Sequence, residues 1–297
     1  MKNRRILVTG ANGQLGYDVC RELGERGYRD YRGIDKEDLD ITDEAAVLRY
    51  ITEYRPEVVI HNAAWTAVDK AEEMPEQVWA VNALGTKYIA EACKQVGAVM
   101  LYISTDYVFP GDGERYYQPE DEKGALGTYG RTKSAGEDFV RELLDKYFII
   151  RISWVFGIHG NNFVKTMLRL AETRREISVV CDQIGSPTYT YDLSKLMCDM
   201  IETERYGIYH ATNEGVCSWY EFAKYIFEVA GVTDVQVIPV TTEEYRQRVK
   251  QAYRPLNSRM SKDKLVENGF RRLPAWQDAV KRYICEELHL EAGRQDT

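Results

Sequence analysis

Along the first half of the chain, short runs rich in β-branched and aliphatic residues alternate with longer stretches whose apolar positions recur three and four residues apart. The short runs are Arg5–Thr9, Tyr31–Ile34, Glu57–His61, Val99–Ser104 and Phe148–Trp154. Near-continuous apolar runs of this length suit strands buried on both faces. Between them lie Gln14–Leu23, Asp43–Tyr54, Pro75–Val96 and Tyr129–Lys146, which carry the helical period. In Asp43–Tyr54, Ala46, Val47, Tyr50 and Ile51 fall on one helix face. Strands alternating with helices predict right-handed crossovers and a doubly wound parallel sheet covered on both faces, an α/β fold.

After Gly157 the pattern loosens. Helix-like stretches at Phe163–Arg174, Tyr191–Thr203, Ser218–Val229 and Pro274–Glu287 mix with short β pieces at Ile177–Val180, Gly207–Ala211 and Val235–Pro239. No repeat, low-complexity tract or linker interrupts them. Residues 1–157 therefore form one expected domain, completed by part of 184–215. Residues 158–183 and 216–297 form a smaller mixed α/β lobe, and Glu291–Thr297 is expected to fray.

Charge and hydropathy narrow the partners. The formal net charge is -8 and no dense Lys/Arg cluster is interleaved with aromatics, which argues against nucleic acid. No apolar run approaches the roughly 20 residues of a membrane span. The N-terminal strand reaches Gly10 too soon for the apolar core of a signal peptide, so a cytoplasmic location is expected. Six cysteines show no C-x-x-C spacing and read as reduced structural thiols. Four scattered histidines give no reason to assign a metal.

The candidate chemistry begins at the first strand end. Arg5–Thr9 runs into Gly10-Ala-Asn12-Gly13-Gln14-Leu15-Gly16 and then a helix. Gly10 permits a tight turn, Gly13 lets the backbone approach a pyrophosphate, and Gly16 lets helix and strand pack closely. The helix N-terminus adds N–H donors and a positive dipole end. Roughly 20 residues on, Asp35 ends the second strand, where a carboxylate accepts from an adenosine ribose. Its charge disfavours a 2′-phosphate and the neighbouring Lys36 offsets this, so NADH and NADPH both stay open. Ala63, Ala64 and Trp65 after the third strand, with Asp40 and Ile41, are expected against adenine and ribose. The small alanines have close helix–sheet packing as their other reading. Together these features specify a Rossmann-type dinucleotide site.

A second constellation follows. The strand ending in Ser104-Thr105-Asp106 precedes Tyr129 and Lys133 by about 25 residues, and these two lie four apart at the start of a helix. Residues so spaced share a face and converge on one point. A free phenol titrates near pH 10, and a nearby ammonium lowers that value by favouring phenolate. A threonine hydroxyl at the adjoining strand end can hold a substrate oxygen while the phenol protonates it.

The order of glycine turn, Asn-Ala-Ala, Ser-Thr strand end and Tyr-x-x-x-Lys resembles the extended short-chain dehydrogenase/reductase superfamily. Within it, the chain is similar to the dTDP-4-dehydrorhamnose reductases. The matching segments run nearly end to end: DLDITD (Asp38–Asp43), NAAWTAVDKAE (Asn62–Glu72), STDYVF (Ser104–Phe109), YGRTKSAGE (Tyr129–Glu137), RISWVFG (Arg151–Gly157), NNFVKTML (Asn161–Leu168), DQIGSPTYT (Asp182–Thr190) and RPLNS (Arg254–Ser258). The resemblance implies reduction of the C4 ketone of dTDP-4-dehydro-L-rhamnose by NADPH or NADH, the last step of dTDP-L-rhamnose synthesis, feeding cell-surface polysaccharide. It makes Tyr129 the acid, Lys133 its pKa-lowering and ribose-binding partner, and Thr105 the hydroxyl that orients the ketone. Asp106 and Trp154 would contact the sugar, and Asn162, Gln183 and Arg254 the diphosphate. Trp154 has core packing as its other reading, and Arg254 a surface salt bridge. Asn82 matches the superfamily's helix asparagine, with a positional or proton-relay role. Some family members bind magnesium and dimerise through it, but no carboxylate cluster here can be matched to that site, so monomer against homodimer stays open. A dinucleotide-binding regulatory subunit of the methionine adenosyltransferase type, or another nucleotide-sugar reductase or epimerase, remain as alternatives.

Overall fold

The computed structural model describes residues 4–290, so the expected frayed tail at Glu291–Thr297 lies outside the described residues. The first half lays down β1 (Ile6–Thr9), α1 (Gln14–Glu25), β2 (Tyr31–Ile34), α2 (Glu44–Tyr54), β3 (Val58–His61), α3 (Val68–Ala71), α4 (Pro75–Trp79), α5 (Gly85–Val96), β4 (Val99–Thr105), α6 (Thr128–Leu143) and β5 (Tyr147–Ile152). The second half adds β6 (Val155–Phe156), α7 (Phe163–Ala171), β7 (Glu176–Val180), β8 (Ile184–Gly185), β9 (Thr188–Tyr189), α8 (Thr190–Ile201) and β10 (Gly207–His210). It closes with β11 (Cys217–Ser218), α9 (Trp219–Val229), β12 (Gln236–Val240), α10 (Thr242–Arg248), α11 (Asp263–Glu267) and α12 (Trp276–Arg282).

Six strands form one parallel sheet in the order β10-β5-β4-β3-β1-β2, the Rossmann-type arrangement. Alternate strand residues explain the continuous apolar runs. Ile6, Val8, Val58, Ile60, Leu101 and Ile150 pack beneath α1 and α8. Leu7, Val59, Met100, Tyr102 and Ile149 pack on the other face beneath α2 and α5. Strand order reverses between β1 and β3, and at that point the strand ends open a crevice suited to a ligand. β10 and α8 come from the 184–215 stretch and join this sheet and its covering layer. A separate core, including Phe156, Val164, Ile177, Phe222, Trp276 and Tyr283, lies under the second-half elements.

Two expected elements are interrupted, each where a side chain is redirected. The stretch Pro75–Val96 contains a π-helical turn at Ala80–Leu84. There Asn82 accepts from the Trp65 N–H at 2.7 Å and donates to the Trp65 carbonyl at 3.1 Å. The stretch Phe148–Trp154 breaks because Trp154 adopts φ 51°, which ends β5 and turns the chain into β6. The helix α10 was not anticipated, although Thr241 and Glu244 form a reciprocal capping box at its start. No helix among the described residues is long and apolar enough to cross a membrane.

Candidate active site

A cleft of about 1140 Å³ opens along the carboxyl ends of β1, β3, β4 and β5. Its first wall is the turn after β1. Gly10 has φ 66°, and a Cβ there would stand 2.8 Å from the Ala63 nitrogen. A Cβ on Gly16 would stand 2.0 Å from the Gly10 carbonyl oxygen, so the helix can approach the turn only because that side chain is absent. Gly13 caps α1 without any side-chain bond, which leaves the first helical N–H groups free to face an anion.

Asp35 stands at the end of β2 and accepts from the Asn12 N–H at 3.0 Å and the Lys36 N–H at 2.8 Å. It therefore ties the glycine turn to the end of β2. Asp40 accepts from the Thr42 N–H and hydroxyl, and these bonds hold its carboxyl below the usual range. Ile41, Ala63, Ala64 and Trp65 complete this side of the cleft together with Asn12, Gln14 and Leu15. Asn62 adds a residue that spacing did not single out: both its side-chain amide atoms are buried without a partner. Buried polar atoms are normally bonded, so an unmet pair beside a glycine turn and a bare helix N-terminus fits a polar molecule such as a dinucleotide.

Thr105, Asp106, Tyr129, Lys133 and Trp154 line the other end of the same cleft. Thr105 is the last residue of β4; its hydroxyl donates to Asp106 at 3.0 Å and accepts from the Tyr107 N–H at 3.3 Å. Tyr129 is the second residue of α6, whose start is fixed by Glu72. That carboxylate accepts from the Thr128 N–H at 2.7 Å and the Thr128 hydroxyl at 2.9 Å. A Cβ on Gly130 would meet the Tyr107 carbonyl oxygen at 2.3 Å, so α6 lies directly against the Ser-Thr strand end. The Tyr107 ring meets the Tyr129 ring edge-on at 5.5 Å.

One turn on, Lys133 is 3% exposed, with Nζ 4.1 Å from the centre of the Tyr102 ring. Burial draws its ammonium down from 10.5 to about 7. Burial also pushes the Tyr129 phenol above its ordinary value, against a hydrogen bond with Thr105. The expected lowering of the phenol by Lys133 is thus corrected for the protein alone: desolvation dominates both groups, and the phenol keeps its proton. Asp106 is raised to about 6 by burial, although the Thr105 and Ser258 hydroxyls bond to it. Behind this wall Glu137 of α6 holds Arg151 of β5 through two bonds of 2.9 and 2.8 Å.

Three residues expected at the diphosphate do not line the cleft. Asn162 is buried as the N-cap of α7; it accepts from the Lys165 N–H and donates to the Gly157 carbonyl, Tyr283 and Gln14. Gln183 is buried and donates to Thr242 at 3.0 Å. The Asn162 amide is thus bonded to the second-half core and to Gln14 at the cleft edge, the Gln183 amide nitrogen to Thr242, and neither residue is among those lining the cleft. Arg254 sits at the rim, donating to the Tyr107 hydroxyl at 3.2 Å and to Asp69 at 2.7 Å. The salt-bridge reading of Arg254 is thus realised, and its guanidinium reaches a cleft residue as well. Asn82 bonds Trp65 and Thr132 and holds the backbone that follows β3 along the cleft. Among the described residues no group of three or more His, Cys, Asp or Glu could hold a metal ion.

Residues 4–289 match the RmlD substrate binding domain family. The spore coat polysaccharide biosynthesis protein SpsK of Bacillus subtilis is 41% identical over 282 residues, 95% of this chain and 97% of that protein. A dTDP-4-dehydrorhamnose reductase of Aggregatibacter actinomycetemcomitans is 40% identical over 289 residues, 93% of this chain and 97% of its own. Among solved structures, the dTDP-4-dehydrorhamnose reductase of Bacillus anthracis in complex with NADP superposes with a TM-score of 0.91 at 46% identity, covering 96% of this chain and 99% of that one.

Proposed function

This chain belongs to the RmlD substrate binding domain family, and from that premise we propose that it reduces the C4 ketone of dTDP-4-dehydro-L-rhamnose to dTDP-L-rhamnose. It is an oxidoreductase of the NAD(P)H-dependent kind. The observation that carries the reading is the convergence of Thr105, Tyr129 and Lys133 at one end of a cleft whose other end is the glycine turn. A regulatory subunit that only binds dinucleotide could use Lys133 for the ribose but would have no need of a phenol acid beside a ketone-holding Thr105 hydroxyl.

A bound reduced nicotinamide supplies the hydride. Thr105 holds the ketone oxygen with its hydroxyl. Tyr129, kept protonated by its surroundings, gives its proton to that oxygen as negative charge develops there. Lys133 then faces the phenolate from one helical turn away and, once protonated, stabilises it. Glu72 fixes the start of α6 and so the aim of both groups. We assign residues 1–157 with part of 184–215 to the dinucleotide, and 158–183 with 216–297 to the nucleotide sugar. A cytoplasmic location belongs to the same proposal, supported by six free thiols.

The test is to mix the protein with freshly generated dTDP-4-dehydro-L-rhamnose and NADPH or NADH, following nicotinamide absorbance and product together. Turnover to dTDP-L-rhamnose is expected. Tyr129→Phe should cut it by about 10²-fold or more while dinucleotide affinity stays nearly intact. Retention of over a tenth of the turnover would move the acid role elsewhere. Light scattering in the same buffer decides between monomer and homodimer.

A further inference from the structure

We propose that Glu137 is a positioning residue for the reduction: it is the buried anion that faces Lys133 and, through Lys133, steadies the phenolate of Tyr129. The role in turnover rests on the reaction proposed above, whereas the hold of Glu137 on Lys133 can be tested without it.

Tyr129, Lys133 and Glu137 follow one another at four-residue steps along α6, so all three stand on one face of that helix. Glu137 is fully buried. The face is pressed onto β4, where a Cβ on Gly136 would stand 2.4 Å from the Tyr102 hydroxyl, and the Lys133 Nζ lies over the same ring. A buried carboxylate needs a partner, and the Arg151 fork supplies one from β5. Register sets Arg151 there, opposite Ser104 of β4, and another of its nitrogens donates to the Pro119 carbonyl at 3.0 Å. Burial pushes the Glu137 carboxyl up, but the Arg151 bonds outweigh it and hold the group below its ordinary value. It is therefore a carboxylate at neutral pH.

Among the described residues, the groups around Lys133 leave Glu137 as the anion that acts on it. His61 of β3 is neutral, because burial draws it down to about 3. The Tyr102 phenol of β4 keeps its proton, since burial raises it. The Asp106 carboxyl bears on Tyr129 and not on Lys133. Arg151 and Lys123 are cations, and the Lys123 Nζ lies 3.8 Å from Glu137 on its outer side. Burial lowers the Lys133 ammonium, and the charge of Glu137 is what opposes that. When Tyr129 gives up its proton, a phenolate appears one turn from Lys133 and must be met by an ammonium in a dry site. Glu137 supplies the field that lets the amine hold its proton there.

Urea unfolding of the ligand-free protein across pH gives the first readout. Lys133 is lowered on folding, so its burial penalty is complete below about 7 and is released as the pH rises beyond that value. Stability in the parent should therefore start to climb near pH 7. In Glu137→Gln the climb should start about one pH unit lower, and Glu137→Asp, which keeps the charge, should recover at least about half of that shift. Glu137 is ionised throughout this range, so its loss adds no titration of its own. Lys123→Met, at a side chain 17% exposed, is the variant safer for folding; it removes a cation, and the climb should start about 0.3 unit higher. The second readout is turnover: the alkaline fall of kcat should move down in Glu137→Gln and up in Lys123→Met. A Glu137→Gln protein weakened equally at every pH overturns the proposal, because a purely structural ion pair would behave so. If that variant does not fold, an unmoved onset in Lys123→Met overturns it alone. Onsets that move while the alkaline fall of kcat does not also overturn it. Onsets that move in a parent without turnover would instead sink the reaction and leave the hold of Glu137 on Lys133 standing.

Discussion

Replacing Lys133 with methionine should make the protein more stable near neutral pH while disabling it. The residue is 3% exposed, and burial lowers its ammonium from 10.5 to about 7. Because the folded value lies below the unfolded one, protonation favours the unfolded chain. The penalty is absent above pH 10.5, grows as the pH falls, and is complete below about 7. That interval, at about 1.36 kcal/mol per pH unit, sets a ceiling of about 5 kcal/mol at pH 7. Methionine fills a similar space without the charge; the ammonium's attraction to the Tyr102 ring is already contained in the folded value, so nothing more is subtracted for it. The gain at pH 7 is then about 4 kcal/mol, falling by about 1.4 kcal/mol per unit to about 2 kcal/mol at pH 9. Urea unfolding of both proteins without ligand at pH 7, 8 and 9 measures the difference directly, and turnover in the variant should drop by about 10²-fold or more. A variant less stable than the parent at pH 7, or a difference that does not change with pH, would refute the reasoning.

Two further substitutions probe the rest of the cleft. Asp35→Ala removes both the charge and the bonds to the Asn12 and Lys36 N–H groups; kcat/KM should shift towards NADPH relative to NADH, and an unchanged ratio would mean Asp35 does not face the ribose. Arg254→Ala releases the Tyr107 hydroxyl and Asp69; it should cost about 1.5–3 kcal/mol in kcat/KM for the dTDP-sugar if a charge-assisted phosphate contact is also lost. An equal loss with the free 4-keto-6-deoxy sugar would show instead that Arg254 acts only by holding Tyr107.

What could be read from the chain was whatever depends on spacing. The glycine turn after β1, the carboxylate ending β2 and the four-residue step from Tyr129 to Lys133 each follow from local geometry, and the structure brings all of them to one cleft. Burial is not local. The pKa of Lys133, the unmet amide of Asn62 and the left-handed backbone of Trp154 arise from packing between segments distant in sequence. Asn162 and Gln183 show the same limit from the other side. Matching a motif supplies a residue's identity, but whether its amide faces ligand or core depends on Tyr283 and Thr242, which lie 121 and 59 residues away. Trp219, which also lines the cleft, had one local signal, a serine cap followed three residues later by glutamate, and this set its place in the helix without indicating the cleft.

The cleft also explains why the RPLNS segment lies so far along the chain from the catalytic strand end. Ser258 bonds the buried carboxylate of Asp106, and Arg254 bonds the hydroxyl of Tyr107, so one segment grips two consecutive residues beyond Thr105. Leu256 and Asn257 donate their N–H groups to the Gly111 carbonyl, which fastens the same segment farther along that loop. The Ser-Thr strand end is therefore held from below by β4 and from above by the lobe assigned to the nucleotide sugar. Tyr107 in turn meets Tyr129 edge-on. A displacement of RPLNS would reach the acid through two contacts, Arg254 to Tyr107 and Tyr107 to Tyr129, without any change in the dinucleotide wall. Binding energy gathered by the remote part of a substrate can by this route be expressed as orientation at the ketone, which is where it raises turnover as well as affinity.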